Sequence, residues 1–327
     1  MTGKADAQNS AGRWSDEHIQ ALVDGLESLL EGRLAAAELI GCGPRAIEPL
    51  RKYLLEGRPR GIFQPRQLAV ETLVELGASQ VLIEYLQTTR EIPDPVVRLG
   101  EEAVQNTAAR ALAQWRTQEV FEVLRGLAQT RLFPGLVDAL GSFERPEMTS
   151  FFLRALGDDF CRSPAEEALA RLGEAARPEL LAAAVRPIPS AETETPSSKI
   201  RRRAALRLLS SLKVSTGEWA TLRELLRNPD REISLRTAQV ALAVGIKEDQ
   251  PAAVSRLIAA FSQDSSLLQW EAQHSLRTHF EVAQSEIEYQ IELRRQQPSW
   301  SQRADVTLRA LLAIRNRAAG AAGKRTV

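Results

Sequence analysis

The sequence has few aromatic residues and few cysteines, and each scarcity excludes a class of structure. Aromatic residues make up 5% of the 327 positions, and the apolar residues are mostly Ala and Leu. Strands favour aromatic and β-branched side chains, whereas helices favour Ala and Leu, so the composition predicts an all-α protein. Cys42 and Cys161 form no Cys-x-x-Cys pair, which argues against a disulfide framework or a zinc site and favours buried free thiols.

Long hydrophobic runs are also missing. No stretch approaches the roughly 20 consecutive apolar residues that a membrane-spanning helix needs, and residues 1–13 lack the apolar core of a signal peptide. We therefore expect a cytoplasmic protein without a membrane span, whose residues 1–16 form a flexible N-terminus.

Net charge is zero, because 42 basic residues balance 42 acidic ones. The balance is uneven along the chain. Residues 294–327 contain eight basic residues and one acid, which gives this segment a charge of +7 and leaves −7 on residues 1–293. The chain is therefore electrically polarised, with a basic C-terminal segment.

One apolar pattern recurs along the sequence. Ala165, Ala168, Leu169 and Leu172 lie at i, i+3, i+4 and i+7 and are followed by Gly173, which is typical of one helix face ended by a glycine. Similar copies begin at Ala36, Ala69, Ala108, Leu136, Ala205, Thr237 and Ala272. Their stop positions are 41, 77, 116, 144, 173, 213, 245 and 280, and the average spacing of about 34 indicates stacked two-helix units.

A second, shorter amphipathic segment follows each stop. The clearest are 46–55, 78–86, 118–127, 147–156, 179–185, 218–226 and 252–261. Capping boxes at 163–166 and 215–218 predict helix starts, and a Ser-x-x-Gln signal at Ser299 predicts a final capping helix. We therefore predict an α-solenoid of about eight two-helix repeats across residues 17–317.

Two stretches resemble a known family. They are residues 166–181, and Asn228-Pro229-Asp230 followed by Ile233 and Arg236-Thr237-Ala238. The chain resembles HEAT-repeat proteins of the short bacterial type, a class that includes phycobilisome-lyase-like proteins, over residues 17–290. The resemblance implies that Asp230 and Arg236 link adjacent repeats. It implies little about function, because this architecture serves many roles.

Three irregular segments interrupt the pattern. Segments 57–65 and 88–97 contain prolines and apolar residues, and 186–199 contains three prolines and no sustained apolar period. We expect 186–199 to be a disordered insertion loop and 318–327 to be a flexible basic tail. Such loops are either tolerated insertions or places where function concentrates.

No catalytic motif is evident. Some HEAT-like proteins are iron hydroxylases that bind metal through His-Glu dipeptides, but His18, His274 and His279 are followed by other residues. Phosphate-binding glycine loops and nucleophile elbows are also missing. We therefore expect no enzymatic activity, no cofactor and no metal.

The strongest polar feature is a basic cluster at 199–207. Lys199, Arg203 and Arg207 share one helix face, and Arg201 and Arg202 flank them. These five residues are our candidate partner-binding residues. The other interpretation is a solvated face whose long side chains cover apolar helix surface.

Three functions follow from these features. The first is a non-enzymatic scaffold or adaptor that binds a protein partner on the solenoid surface. The alternative is a nucleic-acid-binding protein that uses the cluster at 199–207 and the basic C-terminal segment, although the zero net charge argues against it. A lyase or chaperone for a chromophore is suggested by the family resemblance alone, and the scarcity of aromatic residues disfavours it.

Overall fold

The described part of the chain is helical throughout. The computed structural model describes residues 14–188, 193–262, 265–298 and 305–323, with side chains up to residue 317. No strand occurs among these residues, and the predicted all-α class is confirmed. The chain divides into two compact units, Met1–Met148 and Thr149–Val327.

The first unit contains helices α1 to α8 in two rows. The even-numbered helices pack in succession against one another, as do the odd-numbered helices, and neighbours in sequence join the two rows. This packing is that of an α-solenoid. The helices are α1 Asp16–Gly25, α2 Gly32–Gly41, α3 Ile47–Leu55, α4 Gln64–Glu75, α5 Ser79–Gln87, α6 Pro95–Leu112, α7 Gln118–Thr130 and α8 Pro134–Gly141.

The second unit repeats this two-row arrangement. Helix α10 packs on α12, α12 on α14, α14 on α16 and α16 on α18, while α9, α11 and α13 form the start of the other row. The helices are α9 Thr149–Ala155, α10 Arg162–Leu172, α11 Arg177–Val185, α12 Pro196–Leu209, α13 Thr216–Leu222, α14 Arg231–Val244, α15 Gln250–Ala259, α16 Ser266–Thr278, α17 Phe280–Arg295 and α18 Val306–Gly323.

The recurring apolar pattern lies on every even-numbered helix from α2 to α16. In α10, Ala165, Ala168 and Leu169 are at most 1% exposed, so the predicted register is correct there. The first copy is out of register. In α2 the buried residues include Ala35, Ala36 and Leu39, because Ala37 points away from α1 and α4 and lies exposed.

Most of the predicted stops turn the chain through the left-handed region. Gly173 and Gly245 have φ of 55° and 77°, which glycine adopts at little cost. Two stops without glycine do the same, since Arg116 and Glu144 have φ of 45° and 52°. Helix α2 does end at the predicted stop, Gly41, but the left-handed residue of the turn that follows is Gly43.

The predicted helix starts have mixed outcomes. Ser215 and Glu218 form the predicted capping box at α13. The box predicted at Ser163 is wrong, because α10 begins earlier and the chain enters it through a turn in which Asp158 accepts hydrogen bonds from the N–H groups of Phe160 and Cys161. At α18 the capping side chain is that of Asp305, which accepts from Leu308 N–H.

The predicted irregular segments differ in part from the structure. Helix α12 begins at Pro196, inside the expected disordered loop 186–199, and α18 extends to Gly323, inside the expected flexible tail 318–327. Residues 1–13, 189–192, 299–304 and 324–327, which include Ser299 and parts of the predicted N-terminus, loop and tail, lie outside the described residues. Among the described helices, none combines the length and apolar character needed to cross a bilayer.

Candidate partner-binding surfaces

Two arginines of the basic cluster donate hydrogen bonds to carbonyl groups at the C-terminal end of the preceding helix, α11. Arg202 is 4% exposed; its Nε donates to the Ala184 carbonyl at 2.8 Å and its Nη1 pairs with Glu194 at 2.7 Å. Arg201 donates through Nη2 to the Arg186 carbonyl at 2.7 Å, and burial lowers the pKa of its guanidinium. Both side chains therefore satisfy carbonyls that a helix end leaves unpaired.

The shared face of the cluster is largely neutralised by acids from other helices. Arg203 lies 2.6 Å from Asp230 and 3.1 Å from Glu232, and Arg207 forms an ion pair with Glu166. Lys199 is half-buried and has no ion pair among the described residues. The structure thus brings the five candidates onto one helix but directs the arginines into contacts between helices.

Two arginines of the basic C-terminal segment are paired in a similar way. Arg294 lies 3.6 Å from Asp305, and Arg315 lies 3.6 Å from Glu288. These contacts join α17 to α18 and to the residue that caps it. The charges of this segment therefore also contribute to packing within the second unit.

Asp230 and Arg236 link adjacent repeats, as the family resemblance implied. Asp230 caps α14 through the N–H groups of Glu232 and Ile233 and also accepts from Arg203. Burial alone would raise the pKa of Asp230, but these hydrogen bonds outweigh it and hold the pKa below its ordinary value. Arg236 pairs with Glu271 of α16 at 2.5 Å.

Arginines bonded to helix ends recur in the first unit, where sequence analysis missed them. Arg66 of α4 donates through Nη2 to the Leu54 carbonyl at 2.8 Å, and Arg131 donates through Nη1 to the Leu86 carbonyl at 3.1 Å. Each arginine therefore caps a helix C-terminus, where cations are favourable. The signal available in the sequence is weak, because these arginines share no common position in the repeat.

A buried ionic network joins four consecutive helices of the first unit. The guanidinium of Arg66 meets the carboxylate of Glu101 through two hydrogen bonds of 2.8 Å, and Tyr85 donates to the same carboxylate at 2.8 Å. The side chains of Arg66 and Glu101 are each 4% exposed. Burial, together with the negative charge of Glu101, raises the pKa of Tyr85, so its hydroxyl remains a donor.

An apolar surface lies at the start of α6, the helix that also carries Glu101. We call it the loop surface and define it as Ile62, Val96 and Leu99, whose exposed fractions are 53%, 64% and 65%. Val96 and Leu99 lie one turn apart on α6, and Ile62 belongs to the connection between α3 and α4. The surface therefore combines two of the irregular segments singled out in the sequence.

The connection between α3 and α4 is held close against α6. A Cβ atom at Gly61 would lie 4.0 Å from Val96 Cγ1, and one at Gly100 would lie 3.2 Å from Phe63 Cβ. Glycine at position 100 thus permits Phe63 to pack on α6. These contacts place the connection that carries Ile62 against the part of α6 that carries Val96 and Leu99.

Three arginines lie close in sequence to the residues of the loop surface. Arg58 and Arg98 are exposed and have no ion pair among the described residues, whereas Arg60 lies 3.3 Å from Glu27. Arg98 also lines a cleft of about 220 Å³ next to the surface, together with Arg90, Arg131, Glu101 and Glu102. The surroundings of the apolar centre are therefore mixed in charge, with unpaired cations at its edge.

The histidines and cysteines are separate from one another. His274 stacks on Trp270 at 5.2 Å between ring centroids, and burial lowers the pKa of His279. No three His, Cys, Asp or Glu side chains lie together as metal ligands in the described part of the chain. Cys42 and Cys161 are buried and are not joined in a disulfide, as predicted.

Comparison with known proteins gives little on identity. No family model matches the chain, and no curated protein matches it. Among solved structures, the chain is similar to human deoxyhypusine hydroxylase in complex with glycerol, with 17% sequence identity and a TM-score of 0.32; the match covers 86% of this chain and 100% of that chain.

This comparison corrects one expectation from the sequence. We expected a protein without enzymatic activity, and that expectation is contradicted because the similar structure is that of an enzyme. A TM-score of 0.32 at 17% identity is too low to assign this chain a substrate, a cofactor or a reaction.

Proposed function

We propose that this protein is a scaffold or adaptor of the HEAT class, of the short bacterial type, and that it binds a protein partner through the loop surface. The observation that carries the proposal is the cluster of three aliphatic side chains, each more than half exposed, at Ile62, Val96 and Leu99. Contiguous exposed apolar side chains with a polar border are typical of protein interaction sites.

The construction of the surface supports this proposal. The buried pair of Arg66 and Glu101 underlies the start of α6, and Phe63 packs on the same helix at Gly100. Val96 and Leu99 therefore lie on a helix that is anchored by buried contacts, and such preorganisation lowers the entropic cost of binding. A tolerated insertion has no need of such a base.

The chemistry of the surface suggests the chemistry of the partner. Arg58 and Arg98, which have no ion pair among the described residues, flank the aliphatic centre. A complementary partner presents apolar side chains between acidic ones, because opposite charges at the rim guide association and fix register. The proposal places this interaction in the cytoplasm, in keeping with two buried cysteines that are not joined in a disulfide.

The nucleic-acid hypothesis receives less support. Arg202, Arg203 and Arg207 all pair with acids of the same unit, so their charge is largely compensated before any phosphate approaches. Counterion release by phosphate contacts requires cations that are available to the ligand. We therefore favour the protein-binding hypothesis over the nucleic-acid-binding hypothesis.

The proposal is tested by purifying the tagged protein from its native cell extract with and without nuclease. We expect a stoichiometric protein that survives nuclease and is lost from the double variant Val96→Asp/Leu99→Asp. The matched control is Leu267→Asp, which changes a leucine of α16 that is 61% exposed. Enrichment that disappears with nuclease, or that persists in the double variant, would contradict the proposal.

A further inference from the structure

The cleft beside the loop surface is lined by three arginines. Arg90 lies in the connection between α5 and α6, Arg98 lies near the start of α6, and Arg131 directly follows α7. Arg90 and Arg131 are half-buried, Arg98 is exposed, and none of the three has an ion pair among the described residues. The cleft therefore gathers cations that the acids of the first unit leave unpaired.

The acids that line the cleft offset only part of this charge. The carboxylate of Glu101 is bound by Arg66 through both oxygens and also accepts from Tyr85, so the charges of Glu101 and Arg66 cancel. Glu102, which is exposed, is the other acid of the lining. Three arginines thus face one carboxylate that is not already paired, which leaves a formal excess of two positive charges.

Contacts with the protein hold two of the arginines in place. Arg90 donates through Nη1 to the Gly57 carbonyl at 2.7 Å. Arg131 donates through Nη1 to the Leu86 carbonyl at 3.1 Å and lies over the Phe133 ring, 4.9 Å from its centroid. Carbonyls at a helix end carry only partial negative charge, so these contacts orient the guanidinium groups without neutralising them. Burial lowers the pKa of Arg131, as expected for a cation without a paired carboxylate.

The size and charge of the cleft suit one small dianion. Its volume of about 220 Å³ is below the roughly 300–1,000 Å³ of clefts that bind drug-sized ligands, so it has room for one ionic group. A phosphate group on a side chain carries about −1.5 to −2 charges at pH 7, which matches the excess of positive charge, whereas a carboxylate carries only one. Arginine binds phosphate oxygens through pairs of N–H donors.

We propose that the cleft binds the phosphate group of a phosphorylated side chain on a protein partner, whose apolar residues pack on Val96 and Leu99. Arg98 connects the two sites, because it lies between those residues in sequence and also lines the cleft. The hydroxyl group of Thr89, in the same lining, is a further donor. The inference rests on the proposed function and adds a condition to it, that the partner binds in its phosphorylated form.

Phosphatase treatment of the co-purified partner tests this inference. The partner is titrated calorimetrically, before and after treatment, into the full-length wild type, Arg98→Gln and the control Arg33→Gln. Arg33 is also exposed and has no ion pair among the described residues, but it lies on α2 and does not line the cleft. For the wild type and the control, we expect dephosphorylation to raise the dissociation constant roughly tenfold or more. Arg98→Gln should weaken binding of the phosphorylated partner and leave binding of the treated partner unchanged.

Phosphorus NMR with inorganic phosphate tests the cleft without the partner. We expect the phosphate signal to broaden when the wild type or Arg33→Gln is added, and to broaden much less with Arg98→Gln. Because Arg98 is exposed and has no ion pair among the described residues, its replacement should preserve helicity, which circular dichroism checks.

Three results would overturn the inference. They are a partner affinity that phosphatase does not change, equal losses from Arg98→Gln before and after phosphatase, and phosphate broadening that is missing from the wild type or unchanged in Arg98→Gln. The proposed function fails separately, if the partner binds Val96→Asp/Leu99→Asp as it binds the wild type. A partner that requires Val96 and Leu99 but is indifferent to phosphatase contradicts this inference and leaves the proposed function standing.

Discussion

The buried pair between Arg66 and Glu101 offers a strong test of how the first unit is held together. Replacing Glu101 by Gln keeps the shape of the side chain but removes its charge. The guanidinium of Arg66 then remains in an environment where its side chain is 4% exposed, with only neutral acceptors as partners: the introduced amide oxygen and the carbonyls of Tyr53 and Leu54. Removing one partner of a buried ion pair typically costs about 3–5 kcal/mol.

A matched exposed pair provides the comparison. Arg51 and Glu84 also join neighbouring helices, at 2.8 Å between Nε and Oε2, but the side chain of Glu84 is 46% exposed. Glu84→Gln is therefore expected to destabilise the protein much less than Glu101→Gln does, because solvent-exposed ion pairs contribute little to stability. Tyr85→Phe, which removes one hydrogen bond to the same buried carboxylate, is expected to cost about 1.5–3 kcal/mol.

Urea unfolding followed by far-ultraviolet circular dichroism measures these differences. Transitions should be fitted separately if the two units unfold in separate steps. The expected order of destabilisation is Glu101→Gln, then Tyr85→Phe, then Glu84→Gln. If Glu101→Gln costs no more than Glu84→Gln, the buried network does not stabilise the unit and the reasoning is refuted.

Three further predictions concern the second unit. Although burial alone would raise the pKa of the Asp230 carboxylate, hydrogen bonds to it lower that pKa in the folded state. The ionised carboxylate therefore contributes to stability above about pH 4, and this contribution is lost as pH falls through the folded-state pKa. In unfolding measured against pH, Asp230→Asn should reduce the loss of stability seen at acid pH. Leu169→Ala, at a site 1% exposed, should cost about 2–5 kcal/mol, and an unchanged melting curve would show a wrong register. Arg203→Gln should lower the melting temperature, because Arg203 pairs with Asp230 and Glu232, and it should leave the retention of DNA on filters at low salt unchanged. If the variant instead lost a salt-sensitive retention of DNA, the nucleic-acid hypothesis would be favoured.

The repeat architecture could be predicted because its signal is local. The spacing of Ala165, Ala168 and Leu169 is that of one helix face, and it repeats with a glycine or another left-handed residue at the stop. Where the prediction was wrong, the cause was also local. In α2 several apolar residues follow one another, so the period alone does not distinguish the buried Ala36 from the exposed Ala37.

The candidate surfaces were harder to predict, because they depend on contacts between distant residues. The arginines at 203 and 207 share a face in sequence, but their acidic partners Asp230 and Glu166 lie 27 and 41 positions away. A basic cluster in sequence therefore became a set of ion pairs in the structure. Likewise, Val96 and Leu99 have the i, i+3 spacing of a core face, and their exposure depends on tertiary packing.

Calorimetric titration of the co-purified protein into the purified chain tests the central claim most directly. The account predicts that Leu99→Asp weakens binding more than about tenfold, because a charge at the centre of an apolar interface must be desolvated, while the equally exposed control Leu267→Asp binds as the wild type does. Unchanged affinity in Leu99→Asp, with helicity preserved, would show that the partner binds elsewhere and would contradict the assignment of the loop surface.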